Sequence, residues 1–138
     1  MPYLHEVAVD PAHIDELGHA GNLEYLRWVL EAALAHSTQL GLDQAAYLAR
    51  GQAWVVRRHE IDYLLPALAG DQLRIETRVV SMSGASSERR TRIFRQADGA
   101  LLARAATGWV YVDLERGRPM RVPQDVSSRF PLEPGDEP

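Results

Sequence analysis

The residues whose types and spacing are best suited to catalysis lie between Asp15 and Tyr25, where a carboxylate is followed by a glycine-bearing loop and a long apolar stretch. A helix that begins after this loop leaves its first backbone N–H groups without partners inside the helix. Around Asn22 these donors, together with the positive end of the helix dipole, can polarise a carbonyl oxygen. Asp15 can then act nearby as a nucleophile or as a general base. Such an arrangement can hydrolyse a thioester.

A purely structural interpretation of the same residues is also open. Asp and Asn beside a helix start commonly serve as caps, and Gly18 and Gly21 are typical of loops that need unusual dihedral angles. The spacing of these residues alone therefore does not separate a catalytic loop from a capped helix start.

The composition of the chain excludes several kinds of chemistry. Its 138 residues are the length of one domain, and 46% hydrophobic with 25% charged residues is typical of a globular fold. It contains no cysteine, which excludes disulfides, thiol nucleophiles and thiolate metal sites. All 15 basic side chains are Arg, so lysine Schiff-base chemistry is excluded as well.

Charge and hydropathy also limit the partners to be expected. A net charge of −4 is unfavourable for a nucleic-acid-binding surface, so no nucleic-acid partner is expected. No stretch approaches the ~20 apolar residues of a membrane span, and the chain shows no basic segment followed by an apolar one near its start. We therefore expect no membrane partner and predict a cytoplasmic protein.

One long helix is predicted from Asn22 to about Leu40. Ala, Leu, Glu and Arg dominate this stretch, it contains no helix breaker, and Gly41 supplies a stop. Its apolar residues cover a broad face, which indicates that the helix is largely buried. A short second helix is predicted over residues 43–50.

The remaining periodicity is that of strands. An opening strand is predicted over residues 3–9, and apolar and polar residues alternate clearly over residues 73–79. The dipeptide Asp98-Gly99 suits a hairpin turn before a long last strand. One buried helix beside consecutive antiparallel strands indicates an α+β fold with the helix packed in the curve of the sheet.

The motif Asp15-x-x-Gly18-His19-x-x-Asn22-x-x-Tyr25 resembles the signature of the hotdog-fold acyl-CoA thioesterases related to 4-hydroxybenzoyl-CoA thioesterase. The likeness covers about residues 5–123. Within it, residues 56–67 and 70–73 resemble the family's second strand and the turn leading to its third strand. Residues 109–113 resemble the family's last strand.

The chain departs from the family pattern at two positions. Many relatives carry an Asp two positions before the catalytic one, where this chain has His13, and many have Asn where it has Gly21. Neither change removes a group that the chemistry needs.

The resemblance implies a hotdog fold, in which an antiparallel sheet wraps around one long central helix, over residues 1–123. It also implies hydrolysis of an acyl-CoA to a carboxylic acid and free CoA, with no cofactor. The family's active site lies between two protomers, so a homodimer or homotetramer is implied. In this chain Asp15 would be the nucleophile or general base, the backbone N–H near Asn22 the oxyanion donor, and His19 an orienting or substrate-contacting residue.

Two groups of residues are candidates for substrate binding. Arg89, Arg90 and Arg92 form the densest basic cluster, and guanidinium groups suit the phosphates of CoA. Alternating arginines also decorate exposed strand faces, so both interpretations stay open.

The loop residue Gly18 is a candidate substrate contact, and the aromatic residues Tyr25, Trp28 and Trp54 are candidates for lining a pocket for the acyl part. Large aromatic side chains are also ordinary core or interface material.

Three alternatives remain at this stage. His13, Asp15 and His19 contain two imidazoles and a carboxylate that can hold zinc, but a loop spacing fixes no geometry, so no metal site is expected. A hotdog dehydratase or hydratase would require a different motif with a His and a second carboxylate. A non-catalytic acyl-CoA-binding protein would bind the same ligand without releasing thiol.

The C-terminal composition shifts to Pro, Ser, Asp and Glu, which predicts a loose acidic tail over residues 124–138.

Overall fold

A computed structural model describes residues 1–134 and shows an antiparallel sheet curled around one long helix. The strands are β1 (Tyr3–Ala8), β2 (Gln52–Tyr63), β3 (Gln72–Ser83), β4 (Ser86–Arg95), β5 (Leu101–Asp113) and β6 (Arg118–Pro119). The helices are α1 (Asn22–Gln39), α2 (Gln44–Ala49) and α3 (Gln124–Ser127), and a 3₁₀ turn spans Pro11–His13. The predicted α+β hotdog architecture is confirmed.

The strands follow the order β1-β3-β4-β5-β2 across the sheet, and the short β6 pairs with the end of β5. Every pairing between these named strands is antiparallel. Within residues 1–134, β2 pairs only with β5, so its other edge is free. The register shifts between Val56 and Arg58 in β2 and between Val79 and Ser81 in β3. Such bulges bend a strand and redirect its side chains.

The helix α1 begins and ends within one residue of its predicted bounds. Its buried residues repeat at helical spacing on one face and are Tyr25, Trp28, Val29, Ala32, Ala33, His36 and Ser37. This face packs mainly on β1 and β3, and Tyr25 also contacts the ring of Tyr63 at the end of β2, with ring centroids 5.3 Å apart. Leu23 and Leu34 lie outside this face and are 71% and 50% exposed, so the single chain covers less of the helix than its apolar residues predict.

No helix among residues 1–134 combines the length and apolar character needed to cross a membrane.

The segment after β6 differs from the predicted loose tail over residues 124–134. It forms α3, and Val126 and Phe130 are only 0% and 5% exposed. Leu132 then makes a parallel bridge to Val79. Two apolar side chains in a polar segment are sufficient to anchor it to the sheet. The final residues 135–138 lie outside the described part of the chain.

A band of polar side chains crosses the concave face of the sheet between two apolar clusters. One cluster lies under the first half of α1 and includes Trp28 and Ile75, and the other lies near its C-terminal end and includes Val79 and Tyr111. The polar band consists of Thr77, Arg89, Thr91 and Thr107, all 5% exposed or less.

The helix contributes His36 to this band. The Nη1 group of Arg89 lies 2.9 Å from His36 Nδ1, and burial together with the charge of Arg89 lowers the pKa of His36 to about 4. At neutral pH the imidazole is therefore uncharged, and its Nδ1 accepts the hydrogen bond that Arg89 donates.

Acid should destabilise the fold through His36. Its pKa is about 4 in the folded chain and near 6.5 when unfolded, so the unfolded state binds more protons between these values. The free energy of unfolding should fall by roughly 2–3 kcal/mol from this group as pH drops from 7 to 4. Urea unfolding of the parent and of His36→Gln at several pH values measures this, and the variant should lose that part of the dependence. Identical pH dependence in both proteins would contradict the assignment.

Candidate functional site

The Asp15 loop is held in shape by its own backbone. The N–H of Asp15 donates to the carbonyl of His19 at 2.9 Å, and the N–H of Gly18 donates to the carbonyl of Asp15 at 3.1 Å. Gly18 has φ of +88°, a left-handed conformation that favours glycine. This tight turn explains why a glycine stands three residues after the carboxylate.

The Asp15 side chain is exposed, and only one of its oxygens is used by the loop. Oδ1 accepts a hydrogen bond from the N–H of Leu17 at 2.8 Å. Within residues 1–134, Oδ2 has no hydrogen-bond donor, so it is available to a ligand or a water molecule. The bond to Oδ1 fixes the orientation of the carboxylate and leaves Oδ2 accessible.

The start of α1 lies directly beside this carboxylate and is uncapped. Gly21 is the N-cap residue, and no side chain among residues 1–134 caps the helix, so Asn22 does not serve as the cap that the sequence left open. The N–H of Glu24 bonds the carbonyl of Gly21 at 3.0 Å. Within the described residues, the N–H groups of Asn22 and Leu23 have no acceptor.

Gly21 keeps the space between the helix start and the carboxylate open. A Cβ built on Gly21 would lie 3.9 Å from both Cβ and Oδ2 of Asp15. A longer side chain would therefore extend from a point already in contact with the carboxylate. The absence of a side chain here gives a substrate room to approach the free N–H groups and Oδ2 together.

Tyr25 fixes the position of the helix start relative to the rest of the molecule. Its hydroxyl accepts from the N–H of Ala67 at 2.9 Å and lies 3.4 Å from the carbonyl of Leu65. The N–H of Ala20 donates to the carbonyl of Ala67 at 2.9 Å. Tyr25 is 3% exposed, and burial raises the pKa of its hydroxyl. In the single chain it is a brace between α1 and residues 64–67, close to Asp15 but covered.

The two histidines of the loop have separate environments. His13 Nδ1 accepts from the N–H of Asp10 at 2.9 Å and its ring packs on Trp28. His19 is partly buried, with Nδ1 3.4 Å from the carbonyl of Ala20. Among residues 1–134, no group of three or more His, Asp or Glu side chains is placed to hold a metal ion.

Trp54 lies away from Asp15, in a cavity of about 370 Å³ beneath the C-terminal half of α1. Its Nε1 donates to the hydroxyl of Tyr47 at 3.0 Å. Leu30, Leu34 and Trp109 also line this cavity. The walls are mainly apolar, and a volume of this size is within the range of ligand pockets.

The three predicted arginines of β4 do not form one cluster. Arg89 points to the concave face, is 5% exposed and lines the cavity with Trp54. Arg90 and Arg92 lie on the opposite face, where they pair with Glu88 and Glu76. The alternation of the strand separates adjacent residues to opposite faces.

Sequence reasoning missed a second basic surface, on β2. A groove of about 320 Å³ is lined by Arg57, Arg58 and several serines of β3 and β4. Ser87 and Trp109 line both this groove and the cavity, so the two spaces are neighbours. The sequence signal for this surface is the pair of adjacent arginines Arg57 and Arg58, which the structure places at the bulge of β2.

The structure therefore sorts the predicted site residues into three places. Around the start of α1 it brings together Asp15, Gly18, His19, Asn22 and Tyr25. In the cavity it places Trp54 and Arg89, and on the outer face it places Arg90 and Arg92. In such an arrangement the unpaired helix N–H groups can bind the oxygen of a carbonyl group. The free carboxylate oxygen beside them can then attack the carbonyl carbon or activate a water molecule that does so.

The family model described as the thioesterase-like superfamily matches residues 9–130. The acyl-CoA thioester hydrolase YbgC of Escherichia coli O6:H1 is 34% identical over 88 residues, which are 64% of this chain and 65% of that relative's length. The acyl-CoA thioesterase YbgC of Haemophilus influenzae is 29% identical over 117 residues, which are 84% of this chain and 85% of the relative.

A solved structure shows the same fold over nearly the whole chain. It is Slr0204, a 1,4-dihydroxy-2-naphthoyl-CoA thioesterase from Synechocystis, with 23% identity and a TM-score of 0.87. The match covers 94% of this chain and 95% of that one. Since the family model spans most of the sequence, including the Asp15 loop, α1 and strands β2 to β6, the chain belongs to the thioesterase-like superfamily.

Proposed function

We propose that this chain hydrolyses acyl-CoA thioesters to a carboxylic acid and free CoA. The observation that carries the proposal is the free Oδ2 of Asp15 beside the uncapped start of α1. The activities by which the two YbgC relatives are named support the same reaction. Asp15, His19 and Asn22 form the proposed catalytic group, with Gly18 shaping the loop.

In the proposed reaction, Asp15 either attacks the thioester carbonyl carbon or removes a proton from an attacking water. The carbonyl oxygen becomes negatively charged and accepts hydrogen bonds from the N–H groups at the start of α1. One such donor lowers the barrier by about 3 kcal/mol. Collapse of the tetrahedral species breaks the carbon–sulfur bond, and CoA leaves as the thiolate. In the nucleophilic route water then hydrolyses the acyl-aspartyl intermediate.

A thiol-release assay over a panel of acyl-CoAs tests the reaction class. Turnover of one or more thioesters to stoichiometric free CoA is expected. Saturable binding without thiol release would favour the non-catalytic acyl-CoA-binding protein. Addition or loss of water at the acyl chain, with the thioester intact, would favour the dehydratase or hydratase.

Replacing the carboxylate should stop the chemistry without loss of binding. Asp15→Asn keeps the size of the side chain and an oxygen that can accept from Leu17, but it removes the ionised group. We expect kcat to fall by about 10³-fold or more, with acyl-CoA affinity retained. Single-turnover kinetics and equilibrium binding measure the two quantities. A variant that kept most of its kcat would refute the assigned role of Asp15.

The helix start can be tested by removing one amide hydrogen. Asn22 occupies the first helical position, where proline is well tolerated, and Gly21 before it has φ of −68° and ψ of 154°, which suits a residue preceding proline. Asn22→Pro should therefore fold and lower kcat by about 10²-fold or more.

The matched control is Asn22→Ala, which retains the amide. Because the Asn22 side chain caps nothing, this variant should keep both its stability and most of its activity. Parental activity in a folded Asn22→Pro protein, verified by circular dichroism, would show that the oxyanion is bound elsewhere.

We also propose that the chain works as a homodimer, or as a homotetramer built from dimers. The free edge of β2 can pair with a second copy around a two-fold axis, and the part of the sheet that α1 leaves open lies on that side. Exposed Leu34 and Val55 support a buried interface there. Two-fold symmetry reverses the partner helix, so its Asn22 end approaches the C-terminal half of α1.

Light scattering should show a particle of at least two 15.4-kDa chains. Dilution series extend the measurement to low protein concentration, where the mass should fall only if the interface is weak. A stable single-chain mass at assay concentration would refute an active site shared between protomers.

Binding of the CoA phosphates has two candidate surfaces. Arg90 and Arg92 are already paired with carboxylates, which offsets part of their charge. Arg57 has no ion pair within the described residues and borders the groove next to the cavity. We therefore propose the groove as a second candidate surface for the CoA phosphates, in addition to the predicted arginines of β4.

A further inference from the structure

The cavity beneath α1 contains one cationic side chain in otherwise mainly apolar walls. Leu30, Leu34, Trp54 and Phe130 contribute apolar surface, and Arg89 rises from β4 into the same space. A residue that is 5% exposed and fully charged is expensive to bury without a counterion. The position of Arg89 therefore needs a chemical explanation.

Among residues 1–134, the hydrogen bonds of Arg89 go only to neutral groups. Its Nη1 donates to His36 Nδ1 at 2.9 Å and to Thr77 Oγ1 at 3.0 Å. Within residues 1–134, no Asp or Glu oxygen lies within 4.0 Å of its guanidinium nitrogens. Its neighbours on the strand behave differently, since Arg90, Arg92 and Arg95 each pair with a carboxylate.

The remaining donors of Arg89 match a carboxylate. A guanidinium has five N–H groups, and the two on Nη1 are occupied. The Nε–H and the two Nη2–H groups have no acceptor among the described residues. The Nε and Nη2 edge can bind both oxygens of a carboxylate in parallel, the geometry for which arginine is best suited.

Burial lowers the pKa of Arg89 to about 10, which still leaves it protonated at neutral pH. His36 is neutral there, so the cavity holds one net positive charge from these two groups. Glu133, whose charge reaches His36, is itself paired with the terminal amino group at 2.9 Å.

We propose that the cavity receives the acyl group of CoA thioesters that carry a second carboxylate at the far end, and that Arg89 binds this carboxylate. The inference rests on the proposed thioesterase function and names its substrate class, the CoA monothioesters of dicarboxylic acids. The apolar walls cover the methylene chain, and the Nε and Nη2 edge of Arg89 holds its charged end.

The length of α1 indicates which protomer's Asp15 can reach a thioester whose acyl group lies in the cavity. Ser37, which lines the cavity, lies 15 residues beyond Asn22, about 22 Å along the helix. A short acyl chain does not span this distance from Asp15 of the same chain. In the proposed dimer the partner's helix start approaches the cavity, so the cavity of one protomer serves the carboxylate of the other.

Binding of free ligands tests the site without any chemistry. Octanoate and 1-octanol have the same chain and differ in the charged end, and Trp54 and Trp109 in the cavity wall report occupancy by fluorescence. Octanoate should bind the parent about ten- to a hundredfold more tightly than octanol, as expected for hydrogen bonds to a charged group. Equal affinities on the unmodified protein would overturn the proposal, whatever the variants do.

Variants then assign the preference to one residue. Arg89→Met replaces the buried cation with an apolar chain of similar length and should abolish the preference for octanoate. Arg104→Met is the matched control, since Arg104 lies on β5, pairs with Asp62 and is half exposed. It should retain the preference. If Arg89→Met does not fold, Arg89→Lys keeps the charge, loses the two-pronged edge and should weaken octanoate binding selectively.

Hydrolysis provides the second measurement. The ratio of kcat/KM for octanedioyl-CoA to that for octanoyl-CoA should fall about ten- to a hundredfold in Arg89→Met and stay unchanged in Arg104→Met. An octanoate preference that requires Arg89, in a protein that cleaves no acyl-CoA, would refute the thioesterase and support the carboxylate site. If the parent, Arg89→Met and Arg104→Met all hydrolyse the two thioesters with the same ratio of kcat/KM, the carboxylate site is refuted and the proposed thioesterase activity is supported.

Discussion

The burial of α1 against one side of the curled sheet is the constraint on which the rest of the structure depends. Trp28, Val29 and Ala32 leave water almost completely, and fully burying a large apolar side chain stabilises a fold by about 1.5–3 kcal/mol. Because the helix packs on β1 and β3, its start lies beside residues 64–67 and its second half overlies the cavity. The packing of α1 thus sets the positions of both candidate regions, the Asp15 loop and the cavity.

The start of the helix is located by a small hydrogen-bonded unit rather than by a cap. Ala67 binds Ala20 through its carbonyl and Tyr25 through its N–H, so one residue holds both sides of the helix start. Arg95 fixes the same segment by donating to the carbonyl of Pro66 at 2.9 Å. The helix N–H groups can therefore remain unpaired, since the position of the turn does not require a capping side chain.

Much of this architecture is predictable from the sequence, because local signals and burial agree. The helix-forming run from Asn22 and the glycine at position 41 define α1, and the alternation over residues 73–79 defines the inward side of β3. The C-terminal segment was mispredicted over residues 124–134 because two apolar side chains, Val126 and Phe130, outweigh its polar composition once a surface exists to receive them.

The site is less predictable, because its groups meet through tertiary packing. The Asp15 loop is contiguous in the sequence, and its members lie together. The pairing of Arg89 with His36 joins residues 53 positions apart, and no local pattern announces it. The separation of Arg89 from Arg90 was, by contrast, predictable, because adjacent residues of a strand point to opposite faces of the sheet. The prediction of one arginine cluster did not take this alternation into account.

The edge of β2 that is unpaired within residues 1–134 affects how a single chain meets other polypeptides. A strand of 12 residues with one unpaired side is a template for irregular pairing with other chains, including unfolded ones. In its middle this strand carries the exposed charged residues Arg57, Arg58 and Glu60. Charges on an edge strand disfavour pairing with uncharged β-prone segments, so these residues protect the single chain from aggregation through this edge.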